Sequence, residues 1–318
     1  MPNTKEIKNR IDSVTNTKKI TNAMYMISSN KLQRAKKELA NTRPYFLMQE
    51  NEIKRIFQSE SDVESRYFYP KEGRRPAETY AYLVITADKG LAGAYNFNVL
   101  RRAEEEMRKH LKVKLYVVGA FGRRYFYNRK VPIEKAFLYT AQNPTFRRAR
   151  QISYILLDQY DKGEVDEIRV IYSDMESEMN FTVKMMRLLP FERKKFITPE
   201  AQRNEIDVHF KFFPSVSEVI DRCIPGYVAG FIYGALVDSF CAEQHARMTA
   251  MDNANRNAQE ILDKLKLQYN RVRQSAITQE ITEVSAGAKA QRNKRKKKEG
   301  QPATVNVLIK RQKKRKGR

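Results

Sequence analysis

The residue types that do chemistry are present in this chain but stand apart. Its three histidines, His110, His209 and His245, have no spacing that would let two of them share a metal ion. His245 falls inside a long helical pattern and reads as a packing or surface residue. Cys223 and Cys241 are the only cysteines and lie 18 residues apart, which fits neither a zinc site nor a disulfide framework. Reduced thiols in a cytosolic compartment are the expectation. No GxxxxGKS/T phosphate loop, GxSxG elbow or HExxH helix occurs. One segment has the right setting for a ligand. TADKGLAGAYN (86–96) follows a β-rich run and precedes a helical pattern, where a helix N-terminus can take a phosphate. Its glycines do not follow GxGxxG, so the plainer reading is a tight turn that uses Gly90 and Gly93 for backbone geometry. No catalytic, cofactor or metal-binding residue is expected.

If the chain holds no active site, its elements must position something else. From Ala235 to Ala286 there is neither glycine nor proline. One continuous helix over that stretch would be about 78 Å long, more than a compact domain of this size can bury, so it needs partners along its length. Residues 3–43 also lack glycine and proline and allow a helix of about 60 Å. Pro44 either ends that helix or kinks it. Two such helices at opposite ends predict an antiparallel coiled coil around a folded middle. In the C-terminal helix, Ala242, Ala246, Ala250, Ala254 and Ala258 form a small-residue ridge that admits a close neighbour. Ile261, Leu265, Tyr269, Val272 and Ala276 then alternate steps of four and three, as a coiled-coil seam does. In the N-terminal helix, Ile7, Ile11 and Val14 form one stripe and Ile20, Met24 and Ile27 another, about 140° around. Leu32, Ala35 and Leu39 return toward the first. The expectation is a helix that meets different neighbours at different heights. A supercoiled helix following one partner is the alternative.

The middle reads as α/β. YAYLVITA (80–87), VKLYVVG (113–119) and DEIRVIYS (166–173) are strand-like, and Asn98–His110 and Thr145–Lys162 between them are helix-like. That alternation predicts a parallel or mostly parallel sheet of Rossmann-like type. FTVKMMRLLPF (181–191) is a further strand or the exit from the sheet, and an edge strand is expected around Val208–Phe213. The expected division is a shaft helix over 1–60, an α/β domain over 75–212, a second shaft helix over 214–288 and a tail over 289–318.

Net charge is +24, and half of it sits in the last 28 residues. Residues 291–318 carry 13 Lys/Arg against Glu299 alone, so 13 − 1 = +12. Such blocks are usually solvated and disordered, and are drawn to anionic surfaces. No apolar run reads as long enough to span a bilayer. MPNTKEIKNRIDSV has no signal-peptide core.

Three segments carry a specific resemblance. KEIKNRIDSVTNTKKITNAMYMISSNKLQRA (5–35), ITADKGLAGAYNFNVL (85–100) and EQHARMTAMDNANRNAQEILDKLKLQYNRVRQSAITQEITEVSAGA (243–288) resemble the gamma subunit of F-type ATP synthases. The YNRxRQxxITQE core is highly specific, and the likeness covers about residues 3–288. It implies a non-catalytic rotor. Its terminal helices form an antiparallel coiled coil inside a hexamer of alpha and beta subunits, and its α/β domain lies near the epsilon subunit and the membrane-embedded c-ring. Flow of protons or sodium ions turns ring and shaft, and the shaft drives each catalytic beta subunit through its binding states. The resemblance further implies that Arg273 and Gln274 contact an acidic loop of the catalytic subunit. Thr278 and Glu280 continue that motif, and Met24 and Arg247 match positions involved in coupling. Read from the residues alone, Arg273 is a solvated helix position and Met24 a packing residue. No direct membrane insertion is expected. The cytoplasmic face of a bacterial plasma membrane is the expected location.

Two departures stand out. Tyr25 and Ser28–Asn30 replace the lysine and small apolar run usual in that family. The chain also continues past Ala288 through RNKRKKK (292–298), VNVLI (305–309) and KRQKKRKGR (310–318). The charge motivates a different reading, a basic coiled-coil protein that binds RNA or the ribosome. The body lacks an aromatic–basic cluster for base recognition, so nucleic acid is not expected among the partners. A nucleotide-dependent enzyme is a third reading and needs a ligand in the 86–96 loop.

Overall fold

A computed structural model describes residues 4–59, 65–69, 77–138, 140–175, 181–192, 196 and 211–299. They fall into two units, Met1–Lys19 with Arg256–Arg318, and Ile20–Asn255. The elements in chain order are α1 (Thr4–Ser59), β1 (Thr79–Ile85), α2 (Tyr95–Met107), β2 (Lys112–Val118), α3 (Ala120–Asn128), β3 (Lys135–Phe137), α4 (Phe146–Asp161), β4 (Glu167–Met175), β5 (Phe181–Leu189) and α5 (Val216–Glu299).

The larger unit is built on a five-stranded sheet in the order β3-β2-β1-β4-β5. β1 pairs in parallel with β2 and β4, β2 pairs in parallel with β3, and β5 runs antiparallel to β4. Side chains alternate between the faces. Tyr82, Val84, Leu115, Val117 and Ile171 form one core with Val99, Leu100 and Ala103 of α2 and Phe126 of α3. Ala81, Leu83, Ile85, Tyr116, Val118, Ile168 and Val170 form the other with Ile152 and Leu156 of α4. That second core also takes in Ile53 and Phe57 of α1 and Ile224, Val228 and Ile232 of α5. Coverage on both faces is why β1 reads as a continuous apolar run.

The Rossmann-like expectation holds, with β5 as the antiparallel addition. The sequence reading did not include α3 and β3. AFGRRYFYN carries aromatics that favour strands, and a three-residue strand is too short to show a period. α3 starts at Gly119, whose φ of 97° suits glycine, and a Cβ there would lie 2.3 Å from the Thr86 carbonyl oxygen. The strand expected around Val208–Phe213 lies outside the described residues except for 211–213, which are not in a strand.

α1 passes through Pro44 without ending, and α5 passes through Pro225. α5 also runs eleven residues beyond Ala288, where a disordered tail was expected to begin. A lone glycine, Gly287, costs a helix only about 1 kcal/mol, and the Ala, Gln, Lys and Arg that follow are good helix formers. Residues 300–318 lie outside the described set. One 18-residue window of α5 is, contrary to expectation, apolar enough by composition to cross a bilayer, at a mean hydropathy of 1.3. In the folded chain 67% of that window is buried. Ile220, Ile224, Val228, Ile232 and Leu236 belong to the core, so this is the composition of a core helix.

α1 and α5 run antiparallel through the larger unit. Gln49 approaches Gly226, Phe46 approaches Gly230, and Lys31 faces Glu243. In the smaller unit they meet again, with Lys18 Nζ donating to Gln259 Oε1 at 2.5 Å. There Ile7 is buried, with Ile11, Val14 and Lys18 partly so, opposite Ala258, Leu262, Leu265, Tyr269 and Val272. Within the larger unit the covered α1 positions continue as Thr21, Tyr25, Ser28, Leu32 and Ala35. Within each unit these steps alternate four and three, so each stretch of α1 presents a coiled-coil seam. The shifting-stripe expectation is therefore corrected. Ile20 and Ile27 are 62% and 55% exposed, and Lys18, Thr21 and Ser28 occupy the seam instead. Thr21 bonds Asn255 across it. On α5 the seam likewise runs through Leu262, while Ile261 and Ala276 are exposed.

At Gly230, α5 leaves room for the Phe46 ring of α1. A Cβ there would lie 2.3 Å from Phe46 Cδ1, and Phe46 is held between Tyr233 and Phe146 with ring centroids 5.7 and 5.8 Å away. Nothing lies within 4 Å of a Cβ at Gly234. Gly230→Ala should therefore lower stability by about 1–3 kcal/mol in denaturant titrations. Gly234→Ala should leave it unchanged or raise it by up to about 1 kcal/mol.

Candidate partner interface

The 86–96 loop is held from below by α5. Ala87, Ala92 and Tyr95 form a small core with Ala242, and Ala246 packs beside it. The alanine ridge thus begins by admitting a loop rather than a second helix. Gly93 has a φ of 53°, as a turn glycine should, but the other left-handed residue is Leu91 at 63°, not Gly90. Asn96 Oδ1 accepts from the Ala87 amide at 2.9 Å inside the loop. Asp88 Oδ1 accepts from the Ala120 amide at 2.8 Å, which puts a buried carboxylate at the α3 N-terminus. A phosphate at this place would meet that charge.

Arg247 completes the arrangement. Its Nη1 lies 2.7 Å from Glu243 Oε1, and its Nη2 donates to the carbonyls of Gly90 at 3.0 Å and Lys89 at 3.4 Å. The two side chains are only 9% and 7% exposed. Burial raises the Glu243 carboxyl above its ordinary range, and neighbouring Asp88 pushes the same way, while Arg247 pulls it down. Burial likewise raises the Tyr95 phenol. Arg247 is thus turned inward as a clamp between α5 and the loop, its fork shared between one carboxylate and two carbonyls. Met24 is half-buried at the edge of the seam.

The other expected residues are arranged differently. Arg273, Gln274, Thr278 and Glu280 are all exposed, as is every residue from 273 to 295. At 100° per residue, Arg273, Ile277, Glu280 and Val284 share one stripe, and Gln274, Thr278 and Ile281 share the next. Thr278 Oγ1 donates back to the Gln274 carbonyl at 2.9 Å. Ile277, Ile281 and Val284 are large apolar side chains facing solvent. A single uncovered helix is marginal in water, so this stretch has the surface of one half of an interface.

The histidines and cysteines take structural places. His110 stacks on Tyr80 with ring centroids 3.6 Å apart, and His245 lies 4.8 Å from Phe181. His209 is outside the described residues. Cys223 and Cys241 are free thiols, and burial pushes Cys241 up to about 12. Among the described residues no three His, Cys, Asp or Glu side chains converge as a metal site would need.

The family model described as ATP synthase matches residues 3–291. The ATP synthase gamma chain of Ruminiclostridium cellulolyticum is 43% identical over 291 residues, covering 91% of this chain and 98% of the relative. The chain belongs to the ATP synthase gamma chain family. The gamma chain of Caldanaerobacter subterraneus subsp. tengcongensis is 42% identical over 292 residues, covering 89% of this chain and 98% of its own length. Among solved structures, a chain of the Euglena gracilis mitochondrial ATP synthase, in its OSCP/F1/c-ring part, superposes with a TM-score of 0.65 at 14% identity. It covers 92% of this chain and 96% of that one, and shares the fold.

For a gamma chain family member, the clamp was the least legible part from sequence. Asp88 and Glu243 stood among the quoted motif residues without a role, because neither periodicity nor charge reveals which carboxylates will be buried. The available signal was an arginine four residues after a glutamate on a ridge of alanines, a spacing that pairs them on one face.

Breaking the pair should expose its electrostatics. Arg247→Gln leaves Glu243 buried beside Asp88 and should cost about 3 kcal/mol near neutral pH. A raised folded-state pKa means that stability is greatest below the ordinary carboxyl range and is lost as pH rises through the raised value. The variant should therefore lose stability more steeply than the natural chain as pH rises above the ordinary carboxyl range, measured by denaturant titrations. Arg247→Gln with Glu243→Gln should flatten that dependence.

Proposed function

We propose that this chain is the central-stalk rotor subunit of an F-type ATP synthase. It is non-catalytic, and couples ion-driven rotation of a c-ring to ATP synthesis and hydrolysis in catalytic beta subunits. The observation that carries this reading is the uncovered α5 surface over 273–295, in a chain whose family is the ATP synthase gamma chain. Gamma chains are peripheral parts of a membrane complex. In our reading the hexamer of alpha and beta subunits surrounds the paired helices. The α/β domain, taken as 75–212, faces the epsilon subunit and the c-ring at the cytoplasmic face of a bacterial plasma membrane. Residues 1–60 and 214–288 supply the shaft.

A rotor must bias its partner's equilibrium differently at each angle, so its contacts must be directional and must break. Arg273 suits this role. It is exposed, has no acidic partner among the described residues, and its planar fork pairs with carboxylates in a fixed geometry. Gln274, Thr278 and Glu280 offer neutral and acidic groups on the same and the adjacent stripe. Met24 sits on α1 at the edge of the seam, and Arg247 holds the 86–96 loop against α5. Such exposed contacts are worth about 0–1 kcal/mol each, small enough to be exchanged at every step.

Arg273→Glu with Gln274→Ala should reduce ATP synthesis by energised vesicles about tenfold, while thermal unfolding of the isolated chain stays within about 0.5 kcal/mol of the natural one, as surface changes do. Unchanged synthesis by the substituted complex would count against the assignment of these residues.

A further inference from the structure

α5 does not stop where the match to the family model does. The family model ends at residue 291, yet the helix continues to Glu299. Residues 289–299, KAQRNKRKKKE, hold seven Lys/Arg and one Glu, so 7 − 1 = +6. Lys289, Arg292 and Arg295 succeed one another at steps of three on one side, where like charges repel. They and Lys294 are exposed, and no acidic group among the described residues pairs with them. The counter-charge for this surface must come from outside the chain. The residues just before it supply the other half of a protein interface, because Ile277, Ile281 and Val284 are exposed on the same helix. An apolar patch followed by a charged margin is the anatomy of a protein contact. A nucleic-acid groove would call for stacking side chains, and 289–295 contain no aromatic residue.

We propose that the basic extension of α5 is a docking surface for an acidic protein surface on the stationary part of the complex. This contact acts as an electrostatic drag that slows turnover when salt is low. The inference rests on the rotor reading, since only a rotor end meets a stationary partner that it must leave again. Salt shortens the reach of exposed charges, so the drag weakens as ionic strength rises.

The test compares complete complexes carrying the natural chain or R292Q/K294Q/R295Q, since glutamine keeps helix propensity while removing charge. Raising salt from about 30 to about 300 mM, which shortens the Debye length roughly threefold, should raise ATP hydrolysis by the natural complex about threefold. The variant should already be fast at low salt and change little. Identical salt responses in the two complexes would overturn the proposal and leave the rotor reading standing. In a second arm, a photo-cross-linker attached at R292C in the assembled complex should label an acidic segment of a catalytic subunit. Labelling of co-purified RNA, or of rotor subunits alone, would refute a stationary protein partner. Failure of the natural chain to enter an ATP-hydrolysing complex would sink both readings.

Discussion

A helix of 84 residues draws most of its stability from the surfaces that cover its faces, and the rest of this structure follows from how α5 is covered. In the larger unit its cover is the α/β core, where Ile220, Ile224, Val228, Ile232, Leu236 and Cys241 are buried with the sheet, α4 and α1. In the smaller unit its cover is α1 alone, along a narrow seam through Ala258, Leu262 and Leu265. From 273 to 295 every residue is exposed among the described residues. Burial thus falls in steps along one helix, from a full core to a single partner to none. Stability is supplied at one end and recognition surface at the other.

The seam is held by more than apolar contact. Lys18–Gln259 and Thr21–Asn255 place polar groups where a coiled coil ordinarily puts leucine or isoleucine. Such pairs contribute little stability, but they fit only one alignment of the two helices. Ser28, buried in the same row, is small enough for close packing. Arg247 does a related task by a different route. It ties α5 to the loop after β1 through the Lys89 and Gly90 carbonyls, while Glu243, one turn back on the same helix, pairs its charge, so sliding of sheet against helix would cost both carbonyl bonds. Transmission of torque requires both kinds of constraint, against slip between helices and against slip between helix and domain.

Much of this was legible in the residues. The uninterrupted stretch after Gly234 and the β-rich runs announced the long helices and the sheet, and Arg273 read from the residues alone as a solvated helix position. What failed to show was polarity in the wrong place. A search for apolar periodicity ranks Ile20 and Ile27 above Lys18, Thr21 and Ser28, yet the polar set lines the seam and the isoleucines face solvent. The same search chose Ile261 over its neighbour Leu262. Hydrophobicity identifies that a helix has a partner; which of two adjacent rows meets it depends on the partner's own side chains. Arg247 was not legible as buried, since its carboxylate partner lies one helical turn away but its carbonyl partners are brought to it only by the fold.

The exposed isoleucines then acquire a meaning that a single continuous core would have hidden. A shaft that is uniform around its axis cannot tell one partner from the next as it turns. α5 beyond Val272 is not uniform. One side carries Arg273, Ile277, Glu280 and Val284, while the opposite side carries Ser275, Gln279, Thr282 and Ala286 at helical spacing. A partner facing the first side meets charge and bulk; facing the second, it meets small polar groups and a smooth surface. Ile20 and Ile27 mark α1 in the same manner. Three or four apolar side chains set among polar ones are enough to order a helix against a neighbour. They are too few to hold it at one angle, because a fixed interface needs a contiguous buried patch of roughly 800 Å² per partner. The sparse apolar marking of these helices is therefore a condition of turning.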